Sequence, residues 1–498
     1  MAASGNGGKF KELLGHGAVY GIGSVLQALL GFVLIPLYTK SFTPEMYGTW
    51  ALITLCGTLA GAVFYLGVSS ALSRSYYDYP EGPGRKAAVN TALFMTALGA
   101  LSQIVAGLLW GDRLSAAVFG TAEFAPHVRL ALVGAAFGFL NQLFYVLLRF
   151  ERRSTAVIAL NLVSMLSGVC LIVYLLLVRE LGVLAPVLGE ALNQFLLLLA
   201  LGWTCRHWLG GGISRREVRL QLAFGLPAVI SGLMYFMNTA GDRFWIKRYC
   251  DLADVGIYGL AARIGMLIHV LLIIPFGQIW TPVRLEMKDK PGAAEFFGRV
   301  LTYYLLAGLT FALTLTLFSP EVVGLLARQA DYAAAARVVP LVVCAHLIYG
   351  TAGVLDAGIT FSRRIHLLAL MSGAALTSNC LFNWVLIPHF GFMGPGYSIV
   401  LSMLVYSMGV GRISGRIFPI NIEWRRLVLI STFSSVGAAA ALILPASDPV
   451  MGVASKLLIL GSLLWAFFTL ALRSDERQSV VDSCHKVASR FRRARSAA

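Results

Sequence analysis

The sequence predicts an all-α polytopic membrane protein, and three observations lead to this fold class. Of the 498 residues, 58% are hydrophobic and only 13% are charged, whereas an average soluble domain has about 25% charged residues. Apolar stretches long enough to cross a hydrocarbon core of roughly 30 Å follow one another almost to the end of the chain. They are rich in Leu, Ala and Gly and lack strand-like alternation, which argues against a transmembrane β-barrel.

The apolar stretches and the polar breaks between them predict about fourteen transmembrane helices. The first six lie at about 16–38, 48–72, 87–110, 125–148, 156–178 and 182–205. A polar connector separates them from six more, at about 222–242, 255–282, 299–319, 337–358, 366–388 and 392–411. A last pair lies near 427–445 and 450–472, and a basic tail follows.

The distribution of Lys and Arg predicts the orientation of these helices. With the N-terminus inside, cytoplasmic segments hold 29 Lys and Arg and outer loops hold 10. Bacterial membrane proteins retain basic residues in cytoplasmic loops, so we expect a multi-pass protein of the inner membrane with both termini cytoplasmic. The same rule explains the formal charge of +16 without a nucleic-acid partner.

An internal repeat relates the two groups of six helices. Three correspondences follow in order at offsets of 209 to 211 residues: Gly182 and Pro186 with Gly391 and Pro395, Arg152-Arg153 with Arg363-Arg364, and Tyr47-Gly48 with Tyr258-Gly259. We therefore expect two six-helix lobes, related by internal duplication, around a central cavity. The predicted division is a cytoplasmic N-terminus (1–15), the N-lobe (16–205), a basic connector (206–221), the C-lobe (222–411), an additional helix pair (412–472) and a basic tail (473–498).

Three segments resemble polysaccharide-export flippases of the multidrug/oligosaccharidyl-lipid/polysaccharide superfamily. They are PLYTKSFTPEMYGTWALI (36–53), FGLPAVISGLMYFMNTAGDRFWIKRY (224–249) with DVGIYGLAARIG (254–265), and NWVLIPHFGFMGPGYSIVLS (383–402). The resemblance implies fourteen helices, two lobes and alternating access. It also implies a cargo, an oligosaccharide on undecaprenyl diphosphate, flipped to the periplasmic leaflet for O-antigen, capsule or exopolysaccharide assembly. Membrane lipids and the polymerase and glycosyltransferases of the same pathway are the expected partners.

Ionisable residues at membrane depth are the candidate site residues, because each costs about 2.5–3.5 kcal/mol on insertion scales. Arg263 in the eighth span is the clearest, either as a contact for a diphosphate or as half of a structural ion pair. Glu190, Asn193 and Gln194 share one helix face, which either lines a cavity or bonds to a neighbouring helix.

Further polar residues share single faces of later spans. His346 and Asp356 lie on one face of the tenth span, and Asp356 is either an ion carrier or, as we favour, the partner of an arginine. Asn238 with Asp242 and Asn379 with Asn383 are i, i+4 pairs in the seventh and eleventh spans. Asp242 and Arg243 fall near the outer end of a span, where a solvated ion pair is expected.

Other functions fit the sequence less well. The seven cysteines have no disulfide or metal-ligand spacing, and no Walker motif occurs, so no metal or cofactor is expected. A membrane-embedded polysaccharide polymerase or another enzyme would need a soluble catalytic region, and the longest outer loop is about 14 residues (111–124). A lipid II flippase and a drug or metabolite exporter remain as alternative transporters.

Overall fold

The computed structural model describes residues 32–471, apart from 328 and 444–448, and also residues 473, 474 and 476–478. Within this part of the chain every regular element is a helix, which confirms the predicted fold class. Residues 16–31 of the first predicted span and residues 479–498 of the tail lie outside the described residues.

Seven helices lie in the described part of the N-lobe. They are α1 (32–41), α2 (Pro44–Phe64), α3 (Val68–Asp78), α4 (Pro83–Phe119), α5 (Ala125–Phe150), α6 (Ser154–Val173, continued by a π-helical turn at Tyr174–Val178) and α7 (Leu184–Thr204). The second predicted span is broken, because Leu66 and Gly67 adopt left-handed backbone conformations at φ 56° and 63° and separate α2 from α3.

The C-lobe and the C-terminal pair follow. The C-lobe contains α8 (Arg215–Ala240), α9 (Asp242–Tyr249), α10 (Leu252–Gly265), a π-helical turn (His269–Ile273), α11 (Ile274–Met287), α12 (Ala293–Leu317), α13 (Ser319–Leu326), α14 (Ala335–Leu355), α15 (Ala357–Phe361), α16 (His366–Phe390) and α17 (Gly394–Gly415). The pair consists of α18 (Trp424–Ile443) and α19 (Pro449–Ala466), with a π-helical turn at Phe467–Ala471.

Eleven segments of the described chain are long and apolar enough to cross a membrane, and one of them, His366–Gly415, contains both α16 and α17. Several boundaries differ from the predicted ones. Helix α8 begins inside the predicted connector, because the Ser214 hydroxyl accepts a hydrogen bond from the Glu217 N–H and caps the helix N-terminus. Helix α4 extends to Phe119, and this shortens the predicted outer loop after it.

The backbone repeats the correspondences found in the sequence. Arg152 and Arg363 follow α5 and α15 with φ of 57° and 58°, a left-handed conformation that is uncommon for a residue with a side chain. Gly182 and Gly391, which correspond at the loops before α7 and α17, also have positive φ, at 53° and 56°. Two unusual turns therefore recur at matching positions of the two lobes.

The C-terminal pair is joined to the C-lobe by charged side chains at one end. Arg426 at the start of α18 donates to Glu423 (2.7 Å) and to Glu476 (2.6 Å). Glu476 also accepts a hydrogen bond from the Tyr303 hydroxyl of α12 (2.5 Å), and Glu423 accepts one from Thr302 (2.8 Å). These bonds connect the chain beyond α19 to a core helix.

Candidate functional site

The lobes meet closely at the end of the molecule that holds residues 38–48 and 249–256, which we call the outer end after the charge distribution. Here α2 crosses α10 at Gly48 and Gly256. A Cβ atom on Gly48 would lie 2.0 Å from the Leu252 carbonyl oxygen, and one on Gly256 would lie 1.9 Å from the Pro44 carbonyl oxygen. Only glycine permits this approach of the two backbones.

Hydrogen bonds between the lobes surround this crossing. The Tyr332 hydroxyl donates to the Phe42 carbonyl (3.0 Å), and the Thr39 hydroxyl donates to the Leu326 carbonyl (2.6 Å). Tyr332 and Phe42 are fully buried. We call the glycine crossing and these two bonds the outer seam, and it holds the outer end closed in this structure.

A cavity of about 360 Å³ lies in the N-lobe below the outer seam, and we call it the N-lobe cavity. Tyr38 and Trp50 form one wall, and Glu190 and Gln194 of α7 form another. The Gln194 side chain donates to Glu190 (2.7 Å) and accepts from Asn141 (2.8 Å). Two of the three predicted polar residues of α7, Glu190 and Gln194, therefore line a cavity.

The third residue of that face, Asn193, has a different role. It is buried and faces α6, where it accepts a hydrogen bond from Ser167 (2.8 Å) and donates one to Ser164 (3.1 Å). Both interpretations of the α7 face thus occur in the same helix. Glu190 and Gln194 line the cavity, and Asn193 bonds to a neighbouring helix.

Two arginines of the C-lobe lie next to the aromatic wall, and we call them the arginine pair. The Arg263 guanidinium of α10 lies 4.3 Å from the ring centroid of Trp50 and 5.7 Å from that of Tyr47. Arg243 of α9 is close to the same place, since a Cβ added at Gly259 would be within 4 Å of both its Nε and the Tyr47 ring. The two positive charges act on each other.

Neither member of the arginine pair has a hydrogen bond or an ion pair with any described residue. The buried Nε of Arg243 lacks a partner although Asp242 precedes it in the chain. Asp242 instead accepts hydrogen bonds from the Tyr258 hydroxyl and the Asn383 amide, each at 2.8 Å. The carboxylate that a solvated ion pair would need is therefore engaged elsewhere.

The remaining amide residues join Asp242 in a buried network inside the C-lobe. Asn383 also donates to Asn379 (2.9 Å), while Ser402 links Asn379 and Asn238 through longer bonds of 3.5 and 3.4 Å. All of these side chains are buried, and Asp242 is completely inaccessible. The expected solvated Asp242–Arg243 pair was wrong, because α9 turns the carboxylate toward α16 and away from water.

Asp356 pairs with an arginine, as expected. Its carboxylate accepts a hydrogen bond from Arg284 of α11 at 2.6 Å, and each side chain is only 15% exposed. Arg284 also approaches the Gly353 carbonyl (3.4 Å). This ion pair ties the inner end of α11 to the end of α14 and leaves Asp356 without a free carboxylate for an ion.

The two lobes differ at the positions that correspond to the N-lobe cavity. Small side chains line that cavity at Thr58, Ala135 and Gly138. At the offset of 211 residues the C-lobe has larger rings, which contact one another: His269 lies 5.7 Å from His346 and 6.4 Å from Tyr349. Tyr349 in turn contacts Tyr235 and Tyr406. The C-lobe face is an aromatic cluster where the N-lobe has a cavity.

Of the residues that the structure brings together here, the sequence named Arg263, Glu190 and Gln194 as candidates. It did not single out Arg243 or the aromatic residues Tyr38, Tyr47 and Trp50. The last three belong to the segment 36–53, in which aromatic residues are unusually dense, and this was the available signal. Only the packing of α2 against α10 shows that they surround a cation.

Comparisons with solved structures agree with this architecture. The lipid II flippase MurJ in its inward closed conformation superposes with a TM-score of 0.75 at 13% identity, over 92% of this chain and 100% of that one. An inward-facing multidrug resistance MATE family transporter of the MOP superfamily gives 0.60 at 16% identity, over 78% and 94%. A MOP superfamily transporter from Pyrococcus furiosus gives 0.52 at 16%, over 80% and 95%.

These likenesses establish a fold shared with flippases and transporters. No curated protein sequence matches the chain. The profile of the family described as polysaccharide biosynthesis protein matches residues 13–288, which is more than half of the chain. The chain therefore belongs to the polysaccharide biosynthesis protein family.

Proposed function

We propose that this protein is a flippase that moves an oligosaccharide on undecaprenyl diphosphate from the cytoplasmic to the periplasmic leaflet of the bacterial inner membrane. The transport serves the assembly of a cell-surface polysaccharide such as O-antigen, capsule or exopolysaccharide. The protein acts as a carrier that alternates its access between the two sides, and it catalyses no covalent reaction. The family profile and the transporter fold support this class of function.

The arginine pair is the observation that carries the proposal. A cation at membrane depth is expensive unless it has a partner, and Arg243 and Arg263 have no carboxylate partner among the described residues. The rings of Trp50 and Tyr47 compensate only part of this cost through cation–π contact. A diphosphate supplies the missing charge, because guanidinium groups bind phosphate oxygens through paired hydrogen bonds.

The surroundings of the pair suit the sugar end of such a cargo. Glu190 is exposed in the N-lobe cavity and can accept hydrogen bonds from hydroxyl groups, while Gln142 adds an amide to the same lining. Across the site, the aromatic cluster around Tyr349 offers ring faces. Diphosphate and sugar would thus be held by different side chains of one interlobe site.

The outer seam fits a carrier in which one end is closed while the other loads cargo. The contacts that close it are backbone approach at Gly48 and Gly256 and two hydrogen bonds, with no ion pair among them. Such contacts separate at low cost when the lobes rock apart. Release on the outer side then requires the seam to open.

A lipid II-type flippase is the second candidate. The likeness to MurJ favours it, since that fold spans the whole of the MurJ chain. Both cargoes carry a diphosphate on a polyprenyl chain, so the arginine pair suits either one. The family profile favours polysaccharide export. A drug or metabolite exporter is the third candidate. The arginine pair suits such a cargo only if the cargo is anionic.

The test is export of lipid-linked glycan in a strain that lacks the gene. Radiolabelled undecaprenyl-diphosphate intermediates are assayed for access to a periplasmic enzyme after restoring wild type, Arg263→Ala, Arg243→Ala or the control Arg113→Ala. We expect wild type and Arg113→Ala to restore access and both site variants to fail, because Arg113 is exposed and does not line the N-lobe cavity. Expression and unfolding temperature are compared for all variants.

Two results would redirect the proposal. If intermediates cross normally without the protein, glycan export is not its function. If loss of the gene does not change glycan export, but the gene restores growth to cells depleted of their lipid II flippase, the second candidate replaces the first.

A further inference from the structure

A second cavity lies at the inner end of the N-lobe, remote from the arginine pair. It forms where α3 ends, α4 begins and α5 ends, and the turn after α7 covers one side with Trp208. Its volume is about 690 Å³, within the roughly 300–1,000 Å³ of small-molecule sites. We call it the aromatic pocket, and it has no part in the interlobe site described above.

Four aromatic side chains build its wall. The Tyr76 ring packs 4.5 Å from Phe150 and 5.9 Å from Trp208, and Tyr77 lies 5.5 Å from Phe150. Tyr76 is buried by these contacts, whereas Tyr77 is 68% exposed. Tyr77 therefore presents a ring face that no other part of the described chain covers, on a support that is itself packed.

Charged side chains complete the lining, and several are held in place. The carboxylate of Glu151 accepts hydrogen bonds from the Trp208 indole N–H and from His207. The Arg85 guanidinium donates twice to the Tyr79 carbonyl, at 3.1 and 2.8 Å, and lies 4.8 Å from the Tyr76 ring centroid. Fixed groups of this kind lose little side-chain entropy when they bind a ligand.

The balance of charge indicates the class of ligand. Two carboxylates, Glu81 and Glu151, line the pocket together with two guanidinium groups, Arg85 and Arg152. A polyanion would meet both carboxylates, and an apolar ligand would cover these charged groups without forming a bond to any of them. A neutral ligand with many hydroxyl groups can donate to the carboxylates, accept from the guanidinium groups and place its C–H face on an aromatic ring.

We propose that the aromatic pocket binds a sugar ring of the lipid-linked cargo at the inner face, before the cargo enters the interlobe site. The pocket is a loading site for carbohydrate, with Tyr77 as the stacking platform and Glu151 and Arg152 as hydrogen-bonding groups. This inference rests on the proposed function, since it takes the glycan end of the same cargo as its ligand.

The test measures binding of two lipids to the purified full-length protein in nanodiscs. The first is lipid-linked glycan extracted from cells that make it, and the second is undecaprenyl diphosphate without sugar. We expect Tyr77→Ala to weaken binding of the glycan lipid by roughly five- to tenfold, which is the effect of losing one aromatic contact. Binding of the sugarless lipid should not change. Tyr77→Phe keeps the ring and retains wild-type binding.

Matched variants separate the possible outcomes. Tyr249→Ala is the control, because it removes another exposed tyrosine at the outer end. We expect this variant to bind both lipids normally. Arg263→Ala is expected to weaken the binding of both lipids, because both carry the diphosphate. If Tyr77→Ala fails to fold, Arg152→Gln replaces it with the same expected selectivity for the glycan lipid.

If Tyr77→Ala weakens the binding of both lipids equally, or weakens the binding of neither, the proposed loading site is wrong. If wild-type protein binds and exports the glycan lipid in that case, the proposed function stands and only the pocket assignment falls. If wild-type protein binds neither lipid, both fall together.

Discussion

The Arg263 guanidinium of the C-lobe lies 4.3 Å from the ring centroid of Trp50 in the N-lobe. The helices that carry these residues, α10 and α2, cross at Gly256 and Gly48. The contact therefore joins the two halves of the repeat directly beside the outer seam. Any movement that separates α2 from α10 breaks it and exposes the arginine to whatever occupies the site.

Replacing Trp50 tests this contact. We expect Trp50→Ala to lower glycan export about two- to thirtyfold, because a partly desolvated cation–π contact contributes roughly 0.5–2 kcal/mol. Trp50→Phe keeps an aromatic face and should retain most of the activity. Export in the restored deletion strain is the measurement, and equal activity of the Ala and Phe variants would show that the ring does not position Arg263.

Replacing the seam glycines tests the closed state. Gly48→Ala and Gly256→Ala each place a methyl group about 2 Å from a carbonyl oxygen of the other lobe, and overpacking of this kind costs about 1–3 kcal/mol. We expect the outer end to stay open. In a cysteine-free background, a cysteine at Thr39 should then react with a membrane-impermeant thiol reagent much faster than in the parent.

The control for the seam variants is Gly202→Ala, since a Cβ at Gly202 meets no atom within 4 Å. It should leave both export and labelling at Thr39 unchanged. Unaltered labelling in both seam variants would contradict the proposal that this crossing closes the outer end.

The Arg284–Asp356 ion pair is expected to stabilise the C-lobe. Arg284→Ala or Asp356→Ala leaves a poorly exposed charge without its partner, which costs about 3–5 kcal/mol for a buried pair. Exchanging the two residues, with Arg284→Asp and Asp356→Arg together, should recover part of this loss. Unfolding temperatures of the purified variants in detergent measure the effect. If the exchanged protein is no more stable than the single variants, the stabilisation does not come from the pairing of charges.

Stability at the C-terminal cluster should depend on pH through Glu476. Burial alone would raise the pKa of Glu476, but hydrogen bonds from Tyr303, the Arg473 N–H and Arg426 hold it below its ordinary value of 4.5. A carboxyl whose pKa is lowered on folding contributes stability that is complete above its ordinary pKa. This contribution is lost progressively as the pH falls from about 4.5 to below the pKa that Glu476 has in the folded protein.

Glu476→Gln should remove that part of the acid dependence while costing stability at neutral pH. Unfolding temperatures measured from about pH 6 down to about pH 3, which covers the titration range of carboxyl groups, provide the test. Glu123→Gln, at an exposed loop position, is the control and should follow the wild-type curve. An unchanged acid dependence in Glu476→Gln would assign it to other carboxyl groups.

Local properties of the sequence were sufficient for the order of the helices and for the duplication. The length of an apolar stretch decides whether it can cross a bilayer, so the successive spans followed from composition alone. The Arg152-Arg153 and Arg363-Arg364 correspondence became a pair of left-handed turns at φ 57° and 58°. The break at Leu66-Gly67 and the short helix α9 were missed, because they depend on how α3 and α9 pack against other helices.

The sequence by itself determined that the chain consists of successive membrane-crossing helices, how they repeat and to which family the chain belongs, because these depend on apolar length, spacing and motif. Only the tertiary structure decided what each polar residue does. Glu190 opens into a cavity while Asn193, three residues later, bonds to α6, and Asp242 is buried in a network while Arg243 remains unpaired. Helical spacing places such residues within one or two turns of each other, but the neighbouring helix decides whether a side chain meets a partner, a cavity or another charge.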